Sequence, residues 1–164
     1  MSRSGYCDDY GDDDPLALGR YRAQVASAIR GRRGQALLRE LLAALDAMLD
    51  KQLVAGELEA DGQFCALGVV GHARGLNLAS LDTYDVESLG GTFNIADQLA
   101  REIMWVNDEY IGAWDWVRIE ICGPMRGWDQ HHQDVRVPNE QAGAQRWKAV
   151  RDWVAAHITK EQAA

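Results

Sequence analysis

The residues of this chain best suited to chemistry are its histidines, cysteines and arginines, and the spacing of each set limits what it can do. His131 and His132 stand in the run WDQHHQD with Asp129 and Asp134, and His72 lies elsewhere. Imidazole and carboxylate together suit zinc, nickel or iron. Adjacent histidines point apart on a strand, however, and neither HExxH nor HxH occurs. A polar surface loop accounts for the same residues, and no metal is expected. Cys7, Cys65 and Cys122 are far apart and form no CxxC pair. That suits a reducing compartment, and no neighbour marks any of them as a nucleophile. The run GVVGHARG is glycine-rich but lacks the GK[ST] end of a phosphate loop. Neither GxSxG nor a kinase signature is present. These residues predict no enzyme and no cofactor.

The arginines read differently. Arg20, Arg22, Arg30, Arg32, Arg33 and Arg39 fall within residues 15–40, against Glu40 alone. Guanidinium forks suit phosphates and carboxylates alike. Arg30, Arg32 and Arg33 crowd one turn and, with Arg22, are the candidate partner-binding set. A solvated helix end paired to the acidic body is the competing account. The chain carries a net charge of −8, and residues 1–14 hold five aspartates against Arg3. An acidic body disfavours non-specific nucleic-acid binding. Screening over about 8 Å at physiological salt still lets a local patch act alone.

Two partner classes follow. The first is a protein, contacted by the arginines and by tryptophans. All six tryptophans lie in the C-terminal half. Trp114, Trp116 and Trp128 are the interface candidates, and Trp105, Trp147 and Trp153 sit at core-facing helical positions. The alternative is nucleic acid, held by the arginine patch and by a helix-turn-helix-like pair in DVESLGGTFNIADQLAREI. Its DNA-facing positions would include Asp97, Gln98, Arg101 and Glu102, and two carboxylates among four repel phosphate. The acidic tail can also fold back over the arginines.

The elements that must position these residues are mainly helical. A length of 164 residues with 47% apolar content supports one domain with its own core. No apolar run reaches the ~18 residues of a membrane span, and the N-terminus has no signal-peptide h-region. A soluble, cytoplasmic protein is expected. Residues 1–14 read as a disordered acidic tail. Residues 15–164 read as a compact bundle of about five to six helices.

Pro15 opens the first helix, with Leu18, Tyr21, Val25 and Ile29 at helical spacing. Arg30, Arg32 and Arg33 then complement its C-terminal dipole, and Gly31 and Gly34 bracket a turn with positive φ. The second helix runs from Gln35 to Gln52 on the stripe Leu38, Leu41, Leu42, Leu45 and Leu49, completing an N-terminal helical hairpin. Asp61 and Gly62 signal a turn, and Gln63–Arg74 reads as a third helix or a short buried strand. Asp85–Thr92 and Ile95–Val106 form the next pair, with Asn94 as N-cap. Residues 107–136 form an irregular Trp-rich excursion that can hold a short strand at WVRIEI. Pro138 starts the last helix, which ends near Ile158.

Several segments carry a resemblance: MSRSGY at the start, SAIRGRRGQALLRELLAALDAM at 27–48, FCALGVVGHARG at 64–75, FNIADQLAREIMWVNDE and QRWKAVRDWVAAHI. Together they resemble a family of small uncharacterised proteins of tailed bacteriophages and prophages of proteobacteria. The stretch at about 112–136 looks like an elaboration on that family. The resemblance implies a non-enzymatic accessory protein in the cytoplasm of an infected bacterial host. It implies action by binding a host or phage protein, a host-defence inhibitor of the anti-CRISPR kind included.

Overall fold

A computed structural model describes residues 3–4, 14, 16–127 and 131–159. Among them are six α-helices and two small two-stranded sheets, so the fold is mainly α. The first helix, α1 (Ala17–Arg30), and the second, α2 (Arg32–Ala47), are separated by Gly31 alone. Gly31 has φ −63° and ψ 151°, an extended conformation open to any residue. Gly34 lies inside α2. Neither glycine takes the positive φ the sequence suggested. Gly34 is needed for close approach instead: a Cβ there would lie 2.1 Å from the Ala28 carbonyl oxygen of α1.

Three leucines of the expected stripe, Leu38, Leu41 and Leu45, are fully buried, and Leu42 is partly buried against them. Leu37, outside that stripe, is core as well, 2% exposed. The helix nevertheless stops at Ala47 rather than Gln52. The Lys51 ammonium folds back and donates to the Leu45 and Asp46 carbonyls, at 3.4 and 2.8 Å. That satisfies the Asp46 carbonyl, which the last turn would otherwise leave open. Leu49, expected in the stripe, is fully exposed.

Two short strands follow, β1 (Glu59–Ala60) and β2 (Gln63–Phe64), paired antiparallel. Asp61 and Gly62 both have positive φ, 51° and 76°, as a tight two-residue hairpin turn requires. The segment expected as helix 63–74 thus divides into β2 and α3 (Ala66–Ala73), whose N-cap is Cys65. The next helix, α4 (Val86–Phe93), is capped by the Asp85 carboxylate, which accepts from the Ser88 amide at 3.0 Å. Asn94 is not the N-cap of the following helix. It ends α4 in the left-handed conformation, φ 57°, which asparagine tolerates. Helix α5 (Asp97–Asp108) starts after Ala96.

Helix α5 is the axis of the molecule. It packs against α1, α3, α4 and the last helix, α6 (Ala142–His157). Its buried residues include Leu99, Ala100, Ile103, Met104 and Val106. Helix α6 also packs on α2, and the Trp147 indole donates to the Leu45 carbonyl at 3.2 Å. Pro138 does not open α6. It ends the second strand of an antiparallel hairpin, β3 (Trp114–Glu120) and β4 (His132–Pro138), which occupies the Trp-rich stretch. Every residue of β3 is exposed, so the hairpin stands off the helical body.

Two residues of the stretch expected to be a disordered tail behave otherwise. Arg3 and Ser4 are buried. The Arg3 guanidinium donates to both carboxylate oxygens of Asp108, each at 3.0 Å, and the Ser4 carbonyl accepts from Arg101 at 3.0 Å.

Candidate functional site

The α1–α2 junction gathers the arginines. Arg30 closes α1, while Arg32 and Arg33 form the first turn of α2 rather than the end of α1. Their charges therefore sit at the positive end of the α2 dipole, where cations are disfavoured and an anion is favoured. No side chain caps α2. The Gly31 carbonyl accepts from the Gln35 amide at 2.9 Å, but the amides of Arg32, Arg33 and Gly34 lie ahead of that first bond. Together they line a cleft of about 520 Å³ with Gln24 and Ser27 of α1 and with Gln98 from the first turn of α5. The start of α5 therefore faces the same cleft as the start of α2.

The six arginines of this region separate by what they touch. Arg22 donates to Glu102 at 2.8 Å, and that carboxylate is 4% exposed. Arg22 thus neutralises a buried charge on α5 and belongs to the fold. Arg20 pairs with Asp14, the last residue of the acidic stretch. Arg39 reaches the Thr159 carbonyl at 3.3 Å. Arg33 makes one long contact, 3.4 Å, to the Asn94 side chain. Arg30 and Arg32 are exposed, and no described residue forms an ion pair or side-chain hydrogen bond with either. The junction therefore keeps Arg30, Arg32 and Arg33 from the predicted set and releases Arg22.

The tryptophans lie elsewhere. Trp114 and Trp116, two apart on β3, share one face of the hairpin and are 47% and 72% exposed. The Arg136 guanidinium lies 4.7 Å from the Trp114 ring centre, within range of a cation–π contact. Trp128 falls outside the described residues. Trp105, Trp147 and Trp153 pack against the core. The arginine cleft sits at the N-terminal end of α5 and the hairpin follows its C-terminal end. A helix of 12 residues spans about 18 Å, so the two candidate surfaces are separate.

The other candidates are scattered over the fold. His131 and His132 fall on opposite faces of the hairpin. His132 stands opposite Glu120, and His131 follows on the other face opposite Ile121. The Arg118 guanidinium grips Asp134 at 2.8 and 3.1 Å and holds its carboxyl below the usual range. Asp129 lies outside the described residues, as does Cys7. His72 stacks on Phe64, ring centres 4.5 Å apart. Cys65 is buried, its sulfur accepting from the Gly68 amide at 3.4 Å, and Cys122 is exposed. Glu102, Arg101 and Asp97 of the helix-turn-helix-like pair are engaged within the fold. Glu102 takes Arg22, Arg101 takes the Ser4 carbonyl, and Asp97 packs beside Gly90. As the central helix, α5 has little face left for a groove.

A buried polar hub escaped the sequence reading. The Asn107 side chain accepts from the Ala66 amide at 2.9 Å and donates to the Val54 carbonyl at 2.8 Å and to Asp108 at 2.7 Å. Arg146, 5% exposed, donates to the Leu53 carbonyl at 2.7 Å, and burial pushes its guanidinium down. The dipeptide Asn107–Asp108 between an apolar helix and an aromatic stretch was the available signal. In sequence it resembles an ordinary polar helix end.

Set against protein-family models, curated proteins and solved structures, the chain matches none of them.

Proposed function

We propose that this protein is a non-enzymatic binding protein whose contact is the α1–α2 junction and whose partner presents an acidic protein surface there. One observation carries the reading: Arg30 and Arg32 stand exposed and unpaired among the described residues, at the uncapped positive end of a long helix. Carboxylates placed in the cleft would meet the guanidinium groups of Arg32 and Arg33 and open backbone amides together. The acidic remainder of the chain favours a protein over a polyanion, because a phosphate backbone passing beyond the patch would meet like charge. The phage resemblance supports a host or phage protein as that partner. Host-defence inhibition is one role of this kind.

The test compares wild-type protein with the triple variant Arg30→Ala, Arg32→Ala and Arg33→Ala. Both are used to capture proteins from a lysate of a bacterial host, with mass spectrometry as the readout. The expected result is an acidic protein held by the wild type and released by the variant. Equal capture by both overturns the site, and no reproducible partner overturns the reading. Duplex and single-stranded DNA and RNA are titrated in parallel at low salt. Micromolar binding lost in the variant would transfer the site to nucleic acid.

A further inference from the structure

The β3–β4 hairpin has one edge that is open and one that is blunted. The Ile121 amide donates to the His131 carbonyl at 2.8 Å, and the Asn139 amide to the Ala113 carbonyl at 3.0 Å. Odd-numbered residues of β3 thus turn their amides and carbonyls toward β4. By the alternation of an antiparallel ladder, Trp114, Trp116, Arg118 and Glu120 turn theirs outward. On β4 the outward set is His132, Asp134, Arg136 and Pro138, and Pro138 has no N–H to offer. The β3 edge carries neither proline nor glycine, and its three charged residues, Asp115, Arg118 and Glu120, include both signs, so a second strand of the same sequence can answer them. Among the described residues no third strand lies beside it.

Both faces of the hairpin are also uncovered. Trp114, Trp116, Arg118 and Glu120 occupy one. Asp115, Val117 and Ile119 of β3, Ile121 just after it, and Gln133, Val135 and Val137 of β4 supply the other, mainly apolar one, and Val117, Ile119 and Ile121 are among the exposed large apolar residues of the chain. Two strands alone are marginal in water, and three or more with an apolar face are needed for independent stability.

We propose that β3 pairs antiparallel with β3 of a second copy of this chain, centred on Val117, to make a continuous four-stranded sheet. Three features select a second copy and this register. A two-fold axis perpendicular to the sheet keeps each face on its own side, so the apolar faces of both copies merge. Centring on Val117 uses every residue of β3, whereas centring on Trp116 or Arg118 leaves the strand ends unmatched. It also places Trp116 opposite Arg118 of the second copy, twice by symmetry, a pairing of cation with aromatic face. Centring on Arg118 would set two guanidinium groups against each other. The outward amides and carbonyls of Trp116 and Arg118 then meet as hydrogen-bonded pairs. Val117 faces its counterpart as a non-hydrogen-bonded pair, the kind in which side chains lie closest. This surface lies at the opposite end of α5 from the arginine cleft, and the inference does not rest on the function proposed for that cleft.

The experiment uses the full chain. Sedimentation equilibrium should show a concentration-dependent dimer at or below about 100 μM. Val117→Lys, which would set two ammonium groups opposite each other, should weaken that dimer about tenfold or more. For geometry, Val117→Cys is placed in a background carrying Cys7→Ser and Cys122→Ser. Opposed residues about 4.5 Å apart at Cα fall within disulfide reach, so a cross-linked dimer should form on mild oxidation. Ile119→Cys in the same background should not cross-link, because its counterpart is displaced along the strand. A wild-type monomer throughout that range overturns the proposal. Equal cross-linking at positions 117 and 119 overturns the register.

Discussion

Replacing Asn107 by alanine should be among the most damaging single changes to this protein. The Asn107 side chain is 1% exposed and serves three groups. Its oxygen takes the Ala66 amide, and its nitrogen donates to the Val54 carbonyl and the Asp108 carboxylate. Truncation strands Ala66 N–H in the first turn of α3, where no intrahelical acceptor exists, and strands the Val54 carbonyl. Each orphaned buried group costs about 1–3 kcal/mol, so about 2–6 kcal/mol is at stake before any cavity term. Against a total of about 5–15 kcal/mol, that is a large share. At about 2–4 °C per kcal/mol for a chain of this size, the melting temperature should fall by about 5–20 °C. Calorimetry and urea unfolding of wild type, Asn107→Ala and Asn107→Asp measure it. The aspartate retains the acceptor for Ala66 but loses the donor to Val54 and places a second carboxylate beside Asp108. It should also be destabilising, and increasingly so as pH rises above about 4, because the residue ionises there in the unfolded chain while burial beside Asp108 holds it protonated in the folded one. A loss below about 1 kcal/mol in Asn107→Ala would refute the view that this hub joins α3, the 53–58 segment and α5.

Three further outcomes follow from the same contacts. Gly34→Ala forces α1 and α2 apart, since the new Cβ would lie 2.1 Å from the Ala28 oxygen; a loss of about 2 kcal/mol or more in urea unfolding is expected. Arg22→Ala leaves the buried Glu102 carboxylate short of a cation and should cost about 1–3 kcal/mol, while Arg32→Ala should cost under about 0.5 kcal/mol; thermal melts separate the structural arginine from the free one. The Arg74 guanidinium holds Glu40 below the usual carboxylate range, and Arg151 does the same for Asp46. Both folded values lie below the unfolded ones, so this stability is present above about pH 4–4.5 and drains away as pH falls. Arg74→Ala should flatten the acid limb of a stability–pH curve.

What sequence could and could not reveal follows from the range of the forces involved. Periodicity alone marks Leu38, Leu41 and Leu45 as core, but it missed Leu37 and wrongly included Leu49, which lies beyond the end of α2. The Asp61–Gly62 turn is equally local and was legible. Helix ends were not. Lys51 stops α2 by reaching back to carbonyls, and Asn94 caps the helix behind it instead of the one ahead. Both choices depend on which neighbouring chain covers the next turn. Among the arginines, charge and spacing identified the cluster. Only the fold distinguishes Arg22, whose partner Glu102 is 80 positions away in sequence, from Arg30 and Arg32. The hairpin was legible on one side: WVRIEI alternates, and β3 covers it as far as Glu120. Its mate HQDVRVP carries only two strand-forming residues, Val135 and Val137, and its pairing depends on register with β3.

The root of the hairpin explains why an exposed arm can have a defined direction. Arg146 of α6 donates to the Leu53 carbonyl at 2.7 Å and reaches the Ile111 carbonyl just before β3 at 3.5 Å. The Asn139 side chain, just after β4, lies 3.4 Å from the Gly112 carbonyl and 3.0 Å from Gln145. Both strands are therefore tied to α6 at their base. Nearby, Asp108 pairs with Arg3 and lowers the cost of burying the Arg146 charge. One carboxylate serves two buried guanidinium groups, and among the described residues Arg3 Nη1 and Arg146 Nε have no acceptor. An apolar residue in place of Arg146 would avoid that penalty. It would also remove the donors that fix the loops on either side, at positions 53 and 111. Tolerating an incompletely satisfied arginine is intelligible if the orientation of the hairpin, rather than maximal stability, is what the site maintains.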